Sequence, residues 1–221
     1  MASTPRLSLS PTACLASAGF LATAVAFGPA RMGFGLFLPR LTEAFALSTA
    51  QAGQIASLGF LSFLMALPIA AWLVQQAGPR LPVVLGTLAA SVGFAMVSMA
   101  TSAAWLATGV TVAGASAGLC WTPFNDAAER VAPEPMRPGA LSAVSTGTTV
   151  GVSAAGALFL GVAVEAFDWR LAWSALAALG LAAALLAAVG VPAGWSPAPP
   201  PGRGCSGARP HRSTARRSAS G

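Results

Sequence analysis

The sequence predicts an all-α membrane protein of six transmembrane helices, and three observations carry that prediction. Of its 221 residues, 55% are hydrophobic and only 8% charged, at a mean hydropathy of +0.71. A soluble domain carries about 25% charged residues. No Asp, Glu, Arg or Lys occurs in 7–30, 44–79, 81–125, 138–164 or 171–202, and a spanning helix needs about 20 mostly apolar residues. The stretch 81–125 is too long for one helix, and Thr101-Ser102, after Ala100, offers a turn and an N-cap in its middle. Five charge-free stretches therefore hold six spans, expected near 16–38, 50–74, 82–100, 104–124, 140–164 and 170–191.

Taken in order, residues 1–15 form a short N-terminal segment and Pro39 is expected to close the first span. A secretory signal peptide, with Arg6 as its basic region and 12–26 as its apolar region, fits less well: the segment runs on to Pro39 and five spans follow. Ser48-Thr49-Ala50-Gln51 matches a capping box at the start of span two. Gly78-Pro79-Arg80-Leu81-Pro82 reads as a tight turn, because each proline lacks an amide donor, and it makes spans two and three antiparallel neighbours. Pro133, Pro135 and Pro138 mark the longest internal loop. From Pro192 to Gly221 the chain changes to Pro, Gly, Ser and Arg without apolar periodicity, which predicts disorder.

All twelve basic residues are arginines, and five of them (Arg203, Arg209, Arg212, Arg216, Arg217) lie in that tail. Without the tail the formal charge of +6 falls to +1, seven arginines against six acids, so the basic balance does not indicate a nucleic-acid-binding domain. A basic tail beside a membrane attracts anionic lipid; a high-GC reading frame after a frameshift, or a degenerate gene end, gives the same composition and is the plainer reading. Cys14, Cys120 and Cys205 are scattered and form neither a disulfide framework nor a paired metal site, and no cofactor or metal is expected. With the N-terminus inside, Arg6, Arg80, Arg130 and Arg137 are cytoplasmic and Arg40 and Arg170 external. The excess of basic residues on the inner side predicts a multi-pass inner (plasma) membrane protein with both termini cytoplasmic.

Two enzyme motifs fail on inspection. Gly114-Ala115-Ser116-Ala117-Gly118 spells a nucleophile elbow, which requires a strand-to-helix turn and a histidine base. The only histidine is His211 in the tail, and the pentapeptide lies inside span four, where Gly114 and Gly118 suit helix packing. Gly33-Phe34-Gly35 opens a dinucleotide fingerprint, but Leu38 holds the third glycine position and no strand precedes it. The chain reads as no enzyme.

Leu38-Pro39-Arg40-Leu41, Phe45-Ala46-Leu47-Ser48, Gln51-Ala52-Gly53 and Gly78-Pro79-Arg80 together resemble the first two helices and the helix 2–3 turn of the major facilitator superfamily. Phe167-Asp168-Trp169-Arg170-Leu171-Ala172-Trp173 is similar to the entry to that family's sixth helix. The resemblance covers about residues 15–191 and implies the N-terminal six-helix half of a twelve-helix transporter, a 3+3 inverted repeat, with the second half absent. It implies a secondary active transporter of a small solute working by alternating access; the alternative is a transport-incompetent fragment, or a half-transporter that must dimerise or pair with a second six-helix half. Gly78 and Arg80 retain part of the family's gating turn, but Ala71, Gln75 and Gln76 replace its Gly, Asp and basic residue, and Val110 stands where the fourth helix usually has Arg. In span five, Gly147, Gly151 and Gly156 match three of five positions of an exporter-associated signature, with Val152 and Ala155 at the others, which favours export slightly. Gly147 and Gly151 equally form a small-residue packing face.

Arg31 lies eight residues before Pro39, about 12 Å along a helix at 1.5 Å per residue. A charge near the bilayer midplane costs at least about 2.5 kcal/mol and should face a watery cavity or a partner. The functional reading is a contact with an anionic group of the solute; the alternative is snorkelling or pairing with a carboxylate on the second half. No carboxylate or histidine lies mid-span, so proton coupling has no evident carrier. At the inner mouth, Trp121, Asn125 and Asp126 follow Pro123, and Asp126 or Glu129 is the candidate partner of Arg80 in a cytoplasmic latch, set against a solvated helix end. The expected partners are a small, anionic solute, the lipid bilayer, and either a second copy in a homodimer or a C-terminal half, with no nucleic acid.

Overall fold

In a computed structural model, residues 11–191 and 193 are described, without the side chains of 11, 125 and 129–131. The N-terminal stretch 1–10 and, apart from residue 193, the expected disordered tail therefore lie outside the described residues. Among the described residues seven α-helices follow one another: α1 (Pro11–Phe27), α2 (Pro29–Phe45), α3 (Thr49–Ala77), α4 (Arg80–Ser98), α5 (Ala103–Val131), α6 (Arg137–Ala163) and α7 (Trp169–Gly190), with a single 3-10 turn at Glu134–Met136. No strand occurs among the described residues. α1 and α2 form one continuous apolar stretch, Thr12–Phe45, and with it six helices among the described residues are long and apolar enough to cross a membrane.

Span one departs from its expected form at two places. It breaks at Gly28, whose ψ of −98° is not helical, because Pro29 has no N–H to offer the Val25 carbonyl. It does not end at Pro39, which lies inside α2; the helix runs on to Phe45 and stops at Ala46 in the left-handed region (φ 48°). Pro39 removes one hydrogen bond, and the turns on either side keep the axis helical. The second proline-rich segment is shorter than expected. Only Gly78 and Pro79 form the turn, and α4 starts at Arg80 with Pro82 in its first turn, where amides have no intrahelical partner to lose. Gly78 has φ 81°, a conformation that a side chain would strain.

The helix starts at one end of the bundle are capped by side chains. Ser48 accepts from the Gln51 amide at 3.2 Å while Gln51 Oε1 accepts from the Ser48 amide at 2.9 Å, the reciprocal capping box. Ser102 accepts from the Trp105 amide and Asp168 from the Arg170 amide. At the opposite end α4 and α6 begin without a side-chain cap and carry proline in their first turns.

Packing pairs α1 with α6 and α7, α3 with α5, α4 with α5, and α4 with α7. Mapping spans one to three onto spans four to six exchanges α1–α6 with α5–α3 and α1–α7 with α5–α4, and returns α4–α7 to itself. Three spans per unit place the second unit upside down, so this pairing is that of a 3+3 inverted repeat. Backbones approach closely at both equivalent seams. A Cβ on Gly114 would meet the Gly59 carbonyl oxygen at 2.5 Å, and one on Gly118 the Phe63 carbonyl oxygen at 2.6 Å. On α6, a Cβ on Gly147 would overlap the Phe20 carbonyl, and one on Gly151 the Ala24 carbonyl. The buried Thr23 hydroxyl, 2.6 Å from the Val144 carbonyl oxygen, donates across this second seam. Ser91 similarly ties α4 to the Ala177 carbonyl of α7 at 2.7 Å.

The main core lies where α2, α4 and α7 meet. Trp173 is 2% exposed, with its ring centroid 5.4 Å from Phe37 and 5.6 Å from Phe94, and Gly33 makes room for the indole edge. α3 and α6 contribute least to the interior: 11% and 22% of their most apolar windows are buried, against 61% in span one. These two helices flank the bundle.

Candidate functional site

A cavity of about 410 Å³ opens between α2, α3 and α5. It extends from Leu38 and Thr49, near the α2–α3 connection, to Phe63 and Gly114 at mid-bundle. Its walls are almost wholly apolar, and among the described residues Arg31 is the one ionised residue lining it.

The placement of Arg31 follows from the break in span one. Restarting at Pro29, α2 carries Arg31 in its first turn, fourteen residues from the helix end at Phe45, about 21 Å at 1.5 Å per residue. Its guanidinium carbon lies 4.3 Å from the ring centroid of Phe63, 5.0 Å from Phe60 and 6.0 Å from Phe27. Such contacts contribute about 0.5–2 kcal/mol each, the larger values where water is excluded. Among the described residues Arg31 has no ion pair and no side-chain hydrogen bond to protein. The sequence drew attention to Arg31 but not to its aromatic clasp. Phe27 stands four residues before Arg31 and was legible as a helical neighbour; Phe60 and Phe63 meet it only through the tertiary packing of α3.

Two other arginines hold the end at which α2, α4 and α6 terminate. Arg170 at the start of α7 donates to the Ser98 carbonyl at 2.7 Å and to the Ala100 carbonyl at 2.8 Å, and lies 4.4 Å from the Trp169 ring centroid. Arg40 donates to the Ala163 carbonyl at 3.3 Å and pairs with Glu43 and Glu165, each at 3.5 Å. Each places a cation on a helix C-terminus, where the unpaired carbonyls and the helix dipole are negative.

The remaining expected residues are distributed as follows. Gly114 and Gly118 face α3, and Gly147 and Gly151 face α1. Among the described residues no neighbour lies within 4 Å of where a Cβ on Gly156 would sit, so Gly156 does not share the packing of Gly147 and Gly151 against α1. Gly78 lies in the α3–α4 turn and Arg80 is the first residue of α4. Among the described residues Arg80 forms no ion pair with Asp126, and the Glu129 side chain lies outside the described set. No cluster of three potential metal ligands occurs among the described residues.

Six apolar spans packed as an inverted repeat around a cavity define a multi-pass helical membrane protein. A family model described as Major Facilitator Superfamily matches residues 16–219, almost the whole chain, and the protein belongs to that family. Its six spans fit the N-terminal half of that fold. Members of the family are transporters of small solutes rather than enzymes. No curated protein matches the chain.

Proposed function

We propose that the protein acts in secondary active transport by alternating access, with Arg31 receiving an anionic group of the solute in the cavity between α2, α3 and α5. The observation that carries this reading is a charge clasped by Phe27, Phe60 and Phe63 at the wall of a 410 Å³ cavity, without an ion-pair partner among the described residues. A cation held at such a position in an apolar bundle costs several kcal/mol unless a counter-charge or water visits it. Export is the slightly favoured direction on the Gly147, Gly151 and Gly156 pattern. The Gly78–Arg80 turn is the proposed gating element, and Asp126 or Glu129 its candidate latch partner. Absence of coupling in an Arg80/Asp126 double-mutant cycle removes the latch with Asp126. The inner membrane, with both termini cytoplasmic, is the proposed location.

Arg31→Gln is expected to lower transport at least about tenfold, the equivalent of roughly 1.4 kcal/mol, in proteoliposomes assayed with a panel of labelled organic anions. Arg31→Lys should retain part of the activity, since lysine keeps the charge but loses the planar fork. Unchanged transport of every tested anion in Arg31→Gln overturns the assignment.

A second reading is favoured by the low burial of α3 and α6: the six spans work only when paired with another six-span unit, either a second copy or a separate half. The oligomeric mass of the protein in detergent tests the homodimer, because discrete dimers support it and a discrete monomer removes it.

A further inference from the structure

Building on the transporter reading, we propose that the solute is an amphipathic organic monoanion: one carboxylate or sulfonate carried on an aromatic or branched apolar body. Three features of the cavity select this class.

The first is the stoichiometry of charge. Among the described residues Arg31 is the only ionised side chain on the cavity wall, and a second negative charge would lie against apolar walls without compensation, at a desolvation cost. A dicarboxylate or inorganic phosphate is therefore a poor fit. The second is the scarcity of other polar groups. Apart from Arg31 the described lining side chains offer one hydroxyl, Thr49, while Met32, Phe34, Phe60, Phe63 and Val110 present carbon. A sugar or polyol brought here would leave hydroxyls unpaired, whereas a hydrocarbon or aryl body would bury apolar surface against these walls.

The third is the direction in which the guanidinium can act. Phe63 and Phe60 engage the cation at 4.3 and 5.0 Å from their ring centroids through the attraction of its charge to their π faces. The N–H donors are not consumed by that contact, and no protein acceptor takes them among the described residues. A guanidinium presents two parallel N–H groups that match the two oxygens of one carboxylate. The rings thus fix the position of the fork, and the open volume beside it holds the rest of the molecule. At about 410 Å³ the space is in the range of small-molecule sites.

The test uses the full chain purified in detergent and radiolabelled naphthalene-2-carboxylate, with naphthalene-2-carboxamide, naphthalene-2,6-dicarboxylate and inorganic phosphate as competitors. The monocarboxylate is expected to bind at least tenfold tighter than the neutral amide and than the dicarboxylate, and inorganic phosphate should not displace it. Arg31→Gln should lower carboxylate affinity at least tenfold, to near that of the amide, and weaken the amide far less. Phe63→Leu, which keeps the wall apolar and removes a ring from the clasp, should weaken the carboxylate more than the amide. Equal binding of acid and amide, displacement by phosphate, or no binding of any probe to monodisperse helical protein overturns the proposal. Transport in proteoliposomes is scored separately. Selective binding without movement of any solute leaves the anion site standing and removes the transport mechanism. Movement of a neutral or cationic solute that is indifferent to Arg31→Gln leaves transport standing and removes the anion class.

Discussion

Replacing Gly151 by leucine is expected to stop α1 and α6 from docking, with a destabilisation of about 3 kcal/mol or more. The Cβ alone would overlap the Ala24 carbonyl, and backbone atoms cannot swing aside as the end of a long side chain can. Even alanine meets this obstruction. The seam would have to open along its length, separating Thr23 from the Val144 carbonyl and parting Gly28 from the Gly151 backbone. In lipid, no hydrophobic driving force pulls the helices back together, so close backbone contact is itself the attraction. Gly156→Leu is the matched control, since no neighbour lies within 4 Å of its Cβ position. Denaturation by SDS in mixed micelles should give a much lower midpoint for Gly151→Leu than for Gly156→Leu. Equal midpoints would show that the seam is not a source of stability.

Arg170→Ala carries the next largest expectation, a loss of about 2–3 kcal/mol. Hydrogen bonds to a charged group contribute about 1.5–3 kcal/mol each when buried. Arg170 makes two, to the Ser98 and Ala100 carbonyls, but it is only half-buried, which lowers their sum. Its removal leaves the end of α4 without a cation and unfastens α7 from it. Arg170→Lys should recover less than half of the loss, because a single ammonium cannot reproduce the spread of a fork donating to two oxygens. The same micelle titration measures both, and a lysine variant as stable as the original would refute the bidentate account.

How far the sequence could be read depends on the range of the interaction. Hydropathy counts every residue of a span, so six helices were legible without any partner. Capping acts over three residues, and the Ser48–Gln51 box and the Ser102 cap could be read directly from Ser-x-x-Gln and Thr-Ser. Prolines misled where their effect depends on surroundings. Pro39 suggested the end of span one and Pro82 the last residue of a turn, yet Pro39 sits in an otherwise intact ladder and Pro82 in a first turn where nothing is lost. The site was half legible. A lone arginine in an apolar run is conspicuous by its cost, but the rings of Phe60 and Phe63 are two among eleven phenylalanines, and only the packing of α3 against span one selects them. Arg170 was read as a topology marker, since nothing local indicates that its hydrogen bonds end on carbonyls 70 and 72 positions away.

The uneven treatment of the two ends of the bundle has a kinetic consequence. Where α3, α5 and α7 begin, Ser48, Ser102 and Asp168 hold the first amides, and Arg40 and Arg170 hold neighbouring C-termini. Where α4 and α6 begin, proline occupies the first turn and no side chain caps it. Local opening is easiest where the fewest bonds must break together. Backbone deuterium uptake should therefore advance from the uncapped end, reaching the first turns of α4 and α6 well before those of α3 and α7.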